Sequence, residues 1–226
     1  MGRTCVIVPA FNEASVIGGV LAELSALPCA VVVVDDGSAD DSGAVCGRYP
    51  VHVVRHLCNL GQGAALQTGL EYALSTLDSA YLVTFDADGQ HDVGDVESLI
   101  RPLISGDADV ALGTRLVRSA DADRVPARRR LLLRAAVVFT RLTTGMRVTD
   151  THNGLRAFTA AAAGRIRLQQ NRMAHASELL STIHRERLRW CEVPVSVTYT
   201  EHSSKKGQRS AGAVDIVWDL IVGRFA

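Results

Sequence analysis

Tyr81-Leu82-Val83-Thr84-Phe85-Asp86-Ala87-Asp88-Gly89-Gln90-His91 begins as an apolar, β-favouring run and ends in acids and a glycine. The run Tyr81 to Thr84 reads as a buried strand. Asp86 and Asp88, one residue apart, then stand where that strand ends and the chain turns at Gly89. A hard divalent cation needs oxygen ligands converging on one point, and Asp88 with the amide oxygen of Gln90 supplies two of them. A metal with so few protein ligands is completed by phosphate oxygens of a ligand, the build expected of a nucleotide diphosphate site. An isolated Asp-x-Asp is more often an acidic surface turn, so the weight falls on the rest of the chain.

Outward from this stretch the first half alternates strand and helix. Strands are expected at Thr4 to Pro9, Ala30 to Val34, Val51 to Arg55 and Ala108 to Leu112. Helices are expected at Ser15 to Leu24, Asp40 to Arg48, Gln62 to Leu77 and Val93 to Ile104. Unbroken apolar strands alternating with helices imply a parallel sheet covered on both faces. In such sheets ligands bind at the carboxyl ends of the strands. The polar clusters fall there: Pro9-Ala10-Phe11-Asn12-Glu13, Asp35-Asp36-Gly37-Ser38 and Asp86-Ala87-Asp88-Gly89.

The second half changes character. Arg124 to Arg147 mixes basic and apolar residues and reads as mostly helical. Asp150 to Phe158 reads as a loop, Ala160 to Leu168 and Ala174 to Arg187 as helices. Cys191 to Thr200 reads as a strand, with Pro194 pointing to an edge or a bend. Glu201 to Gly212 is a Ser/Lys/Gly-rich loop, and Ala213 to Phe225 a short amphipathic tail helix. No internal repeat or linker is evident, so one domain is expected over 1–226.

Composition narrows the function. The chain has 226 residues, 47% apolar and 21% charged, with a net charge of zero. That balance argues against nucleic acid as a main partner. The five cysteines have no C-x-x-C spacing, which fits reduced thiols in a cytoplasmic protein. A strand follows the first residues directly, so no signal peptide is expected, and no apolar run approaches the ~20 residues of a membrane span. A dinucleotide-binding fold needs glycines in the first βα turn; Pro9 to Glu13 has none, and Gly61-Gln62-Gly63 meets Leu66 where a third glycine belongs.

Five ordered segments carry a resemblance: Val8-Pro9-Ala10-Phe11-Asn12-Glu13, Val34-Asp35-Asp36-Gly37-Ser38-Ala39-Asp40, Asn59-Leu60-Gly61-Gln62-Gly63, Asp86-Ala87-Asp88-Gly89-Gln90-His91 and Gly113-Thr114-Arg115. Together they resemble a family 2 glycosyltransferase of GT-A fold: α/β, a single Rossmann-like, mixed, mostly parallel sheet flanked by helices. The stretch Asp150-Thr151-His152-Asn153-Gly154-Leu155-Arg156-Ala157-Phe158 is similar to the dolichol-phosphate mannosyltransferase and polyprenyl-phosphate glycosyltransferase branch. The resemblance implies a nucleotide-sugar-binding half over 1–115 and an acceptor-binding half over 116–226. It implies that Asp35 or Asp36 hydrogen-bonds the nucleobase and that Asp86, with Ala87 beside it, faces the nucleoside. Pro9, Asn12 and Glu13 would shape the nucleotide cleft. Asp88 and Gln90 would hold Mg2+ or Mn2+, and Arg115 and Arg129 would bind the acceptor phosphate.

One departure stands out. The mannosyltransferase pattern has an arginine before its final Ser-Lys pair, and Tyr199 to Lys206 has none. Lys206, or Lys205, is left to meet the leaving diphosphate. His175 and Glu178 make only two ligands of a second metal site, so a packing or hydrogen-bonding role is expected for them.

The expected activity is inverting transfer of a hexose from a nucleotide diphosphate sugar to a polyprenyl phosphate, with Asp88, Arg115 and Lys206 closest to the chemistry. Two alternatives stay open. One is transfer to a soluble hydroxyl acceptor such as a natural product, which would need a base among Asp150, His152 and Glu178. The other is nucleotide-sugar binding without turnover. The acceptor's lipid implies peripheral contact at the cytoplasmic face of a membrane, through residues 128–142 and the tail around Trp218 and Phe225, or through a separate membrane partner.

Overall fold

The computed structural model describes residues 3–115, 145–150, 153–170 and 174–198. Seven strands form one sheet: β1 Thr4–Ala10, β2 Ala30–Asp35, β3 His52–Arg55, β4 Tyr81–Thr84, β5 Val110–Thr114, β6 Arg156–Thr159 and β7 Trp190–Pro194. The helices are α1 Ile17–Leu24, α2 Ser42–Cys46, α3 Gln62–Thr76, α4 Asp95–Ile104, α5 Ala160–Ala163 and α6 Ala174–Arg185. The strand order is β3-β2-β1-β4-β6-β5-β7. β1 pairs in parallel with both β2 and β4, and β5 with β7, while β6 runs antiparallel between β4 and β5. The sheet is therefore mixed and mostly parallel, as expected. β1 leads to β2 and β3 on one side and β4 joins it on the other, so the switch point lies at the carboxyl ends of β1 and β4.

Both faces of the sheet are covered, which is why the strands read as continuous apolar runs. Alternation along β1 sends Cys5 and Ile7 to the face under α3 and α6, with Leu66, Leu70, Leu179 and Ile183. It sends Val6 and Val8 to the face under α1 and α4, with Ile17, Leu21, Leu99 and Ile100. Ile17, Val20, Leu21 and Leu24 are the buried residues of α1, at i, i+3, i+4 and i+7. α1 begins at Ile17, not Ser15, because residues 13–16 form a turn in which Val16 and Ile17 both donate to the Glu13 carbonyl.

The largest departure from the sequence reading is β6. Asp150 to Phe158 reads as a loop, yet Arg156–Thr159 is an interior strand, with Phe158 opposite Leu82 on β4 and Val110 on β5. Pro194 ends β7 at the sheet's edge, as its missing N–H allows. The expected helix over Arg124 to Arg147, the Glu201 to Gly212 loop and the tail helix fall wholly or largely outside the described residues.

α3 lies close on the sheet at Gly69. A Cβ there would overlap Cγ2 of Ile7 and stand 3.3 Å from Cγ2 of Val34. Gly69→Val is expected to destabilise the fold by roughly 1–3 kcal/mol through overpacking. Urea denaturation checks this, and an unchanged midpoint would contradict the close approach.

Candidate functional site

β4 delivers its acids to the carboxyl edge. The Asp86 Oδ1 accepts from Gln62 Nε2 at 3.1 Å, and its Oδ2 lies 3.2 Å from His91 Nε2. Burial alone would raise the Asp86 carboxyl, but the His91 hydrogen bond and the charges of His91, Arg156 and His175 outweigh it, and its pKa is lowered. Asp88 goes the other way: burial first, then the negative charges of Asp86 and Glu13, raise its carboxyl above the usual range. Gln90 donates to Asp88 from its backbone at 3.1 Å and from its side-chain amide at 2.7 Å. His91 packs edge-on against Phe85, ring centroids 5.6 Å apart, with its Nδ1 enclosed and without an acceptor among the described residues.

The facing wall comes from β5 and the chain before β6. Arg115 Nε and Nη2 donate to the two oxygens of Asp150 at 2.7 and 2.9 Å, a bidentate fork. Thr149 beside it donates its N–H and hydroxyl to Glu192 of β7. Thr84 on β4 donates to the Gly154 carbonyl at 2.7 Å, which ties this wall to the β4 end. Between the walls lies a cleft of about 230 Å³. Asp86, Asp88, Gln90 and Arg115 line it together, as do Gln62, His91, Asn153, Arg156 and His175.

The remaining expected nucleotide-site residues stand at the ends of β1, β2 and β4, not on the lining of this cleft. Asn12, at φ 55°, donates its backbone N–H to Ser38 Oγ, and its side-chain oxygen accepts from Ala39 N. Glu13 donates its backbone N–H to Ser42 Oγ. Pro9 is opposite Val34 in the β1–β2 register, and Ala87 is buried. Asp35 is buried, accepts from Ser38 N at 2.9 Å and lies 3.4 Å from Arg55 Nε. Asp36 accepts the backbone N–H groups of Leu60 and Gly61 at 2.9 and 2.8 Å and meets His56 Nδ1 at 2.7 Å, with His56 Nε2 3.0 Å from Thr68 Oγ1. This network anchors the start of α3, from which Gln62 reaches Asp86. Arg129 and Lys206 lie outside the described residues.

Glu178 accepts the backbone N–H groups of Gln169 and Gln170, so it braces the chain before α6. His175 is buried and lines the cleft. Sequence reasoning gave no role to Gln62, Asn153 or Arg156. The signal for Gln62 was available, since it opens α3 in a Gly-Gln-Gly run at the carboxyl edge.

The donor set suits a hard cation only in company. No cluster of three or more His, Cys, Asp or Glu side chains among the described residues could hold a metal alone. Asp88 and Gln90 are oxygen donors; burial and then the repulsion of Asp86 raise the Asp88 carboxyl, and a cation would offset both. Gln90 turns its amide N–H toward Asp88, so ligation by its oxygen requires that amide to turn over. A diphosphate would complete the set.

Residues 5–167 match the family model for glycosyl transferase family 2. The chain is 36% identical over 223 residues to an uncharacterised protein of Methanocaldococcus jannaschii, covering 97% of this chain and 91% of that one. It is 30% identical over 236 residues to a UDP-N-acetylglucosamine–dolichyl-phosphate N-acetylglucosaminyltransferase of Methanococcus voltae, covering 96% and 94%. Among solved structures, glucosyl-3-phosphoglycerate synthase from Mycobacterium tuberculosis, in complex with Mn2+, UDP and glucosyl-3-phosphoglycerate, superposes with a TM-score of 0.62. That match is at 20% identity over 91% of this chain and 75% of the other, a likeness of fold. No helix among the described residues is long and apolar enough to cross a membrane.

Proposed function

The chain belongs to glycosyl transferase family 2, and from that premise we propose that it moves a hexose from a nucleotide diphosphate sugar to a polyprenyl phosphate with inversion. The observation that carries this reading is the meeting of Asp86 and Asp88 with Arg115 in one cleft, two carboxylates together with a guanidinium. The dolichyl-phosphate transferase relative supports the same acceptor.

The chemistry fits the side chains. A phosphomonoester with its second pKa near ~6 is mostly dianionic at neutral pH and attacks the anomeric carbon without a strong base. His91 is poorly placed as a base for a hydroxyl: one ring nitrogen is on Asp86 and the other is enclosed. Asp150 is engaged by the Arg115 fork. Asp86, fixed by Gln62 and His91, orients the donor nucleoside. A divalent cation bound at Asp88 and Gln90 would supply electrostatic stabilisation of the leaving diphosphate. Lys206 would add a positive charge on the same side, and Arg129 a second contact for the acceptor phosphate.

The test is to incubate the protein with Mn2+, a panel of nucleotide sugars and either a short polyprenyl phosphate or hydroxyl acceptors, and to read products by mass spectrometry. Glycosylation of hydroxyl acceptors alone would overturn the lipid-phosphate reading and keep the enzyme class. Arg115→Lys, which keeps the charge but not the fork, is expected to raise the KM for polyprenyl phosphate about tenfold or more, as loss of a charge-assisted contact of ~1.5–3 kcal/mol requires. Its KM for the donor should change far less. Equal losses for both substrates would put Arg115 on the donor side.

A further inference from the structure

Arg156 stands in surroundings that the described residues do not account for. It opens β6 in the interior of the sheet, opposite Thr84 on β4 and Leu112 on β5. It is 5% exposed and what remains faces the cleft. Among the described residues no side chain accepts a hydrogen bond from its guanidinium or lies within ion-pair distance of it. Asp86 and Asp150 are near enough to favour its charge. Their oxygens, however, already serve others: Gln62 and His91 on Asp86, the Arg115 fork on Asp150.

A guanidinium withdrawn from water loses several kcal/mol of hydration unless something takes its N–H groups. Burial accordingly lowers its pKa, against the pull of the two carboxylates. A planar five-donor group lining a cleft, with no acceptor among the described residues, matches the oxygens of a phosphoryl group. Arg115 and Asp150 together carry about zero net charge, so a dianion beside them needs another cation. Of the described residues lining the cleft, the arginines are Arg115 and Arg156.

We propose that Arg156 is a further arm of the phosphomonoester subsite that contains Arg115, with Asp150 as the positioning residue that fixes the Arg115 plane. This rests on the acceptor reading above. It also means that β6 carries a binding group at the centre of the sheet and that the fold gives up some stability to keep it there.

Arg156→Met and Arg156→Lys test it, each probed by melting temperature and by titration with two ligands: a water-soluble prenyl monophosphate, and UDP or GDP with Mn2+. Arg156→Met is expected to weaken the prenyl monophosphate about tenfold or more, by loss of charge-assisted contacts. It should leave the nucleotide within about threefold. Arg156→Lys should fall between the two for the monophosphate. If Arg156→Met melts lower and binds the prenyl monophosphate like wild type, Arg156 is structural and the proposal fails. If its loss is confined to the nucleotide with Mn2+, the guanidinium belongs to the donor and the proposal fails. A wild-type protein that binds nucleotide but not prenyl monophosphate overturns the acceptor reading and the subsite with it.

Discussion

Asp88→Asn is expected to lower turnover by about 10²–10³-fold or more, the scale of removing an electrostatic stabiliser of the transition state, while leaving the fold as stable as wild type. The two halves of that expectation come from one fact. The Asp88 carboxyl is raised by burial and by the charges of Asp86 and Glu13. A folded-state pKa above the unfolded value means that the native protein binds this proton more tightly. Ionising Asp88 therefore costs stability, fully at pH above the raised value and not at all below about 3.8. A neutral amide removes that cost at neutral pH. It also removes the charge that a divalent cation would meet, so the nucleotide with Mn2+ should no longer raise the melting temperature. In wild type the same proton competes with the metal, so Mn2+-dependent stabilisation by nucleotide should weaken as pH falls toward the raised carboxyl. Full activity of Asp88→Asn with a metal chelator present would remove Asp88 from the metal role.

The part of this site that stands at strand ends was legible because strands and their ends leave local marks. Apolar runs such as Ala30 to Val34 end abruptly in Asp35-Asp36-Gly37, and Tyr81 to Thr84 ends in the Asp86 to Gly89 turn. β6 left no such mark. It has four residues, and one of them is the buried Arg156, so no apolar alternation announces it. Its place is set by non-local contact: Ala157 and Phe158 fit between β4 and β5 because Val83, Leu82, Ala111 and Val110 are already there. The Asp36 network was hidden for a related reason. Asp36 reads as a free acid at a strand end, yet Leu60, Gly61 and His56 approach it from more than 19 residues away in the chain. A single sequence shows which residues carry chemistry, and the fold decides which of them brace the others.

Gly154→Ala should lower activity strongly, and it separates bracing from binding. Gly154 needs no left-handed backbone, so alanine is excluded only by space. That space belongs to Asp86: a Cβ on Gly154 would overlap its Oδ2 and stand 2.5 Å from its Cγ and Oδ1. Gly154 cannot move aside easily, since its carbonyl holds Thr84 on β4 at 2.7 Å and Gly113 packs 2.6 Å, measured from its own would-be Cβ, against the next carbonyl, Leu155. The Asp86 carboxylate must therefore swing away from Gln62 and His91. A displacement of about 1 Å in a positioning group can cost ~10²-fold in rate, and the overlap itself about 1–3 kcal/mol of stability. Both losses run through the Asp86 side chain, so they should vanish when it is shortened. In an Asp86→Ala background, Gly154→Ala should cost little further activity and little further stability, a large non-additivity in a double-mutant cycle. Activity assays and urea denaturation on the four proteins measure it. If the two substitutions add fully in both readouts, Gly154 acts elsewhere than on Asp86.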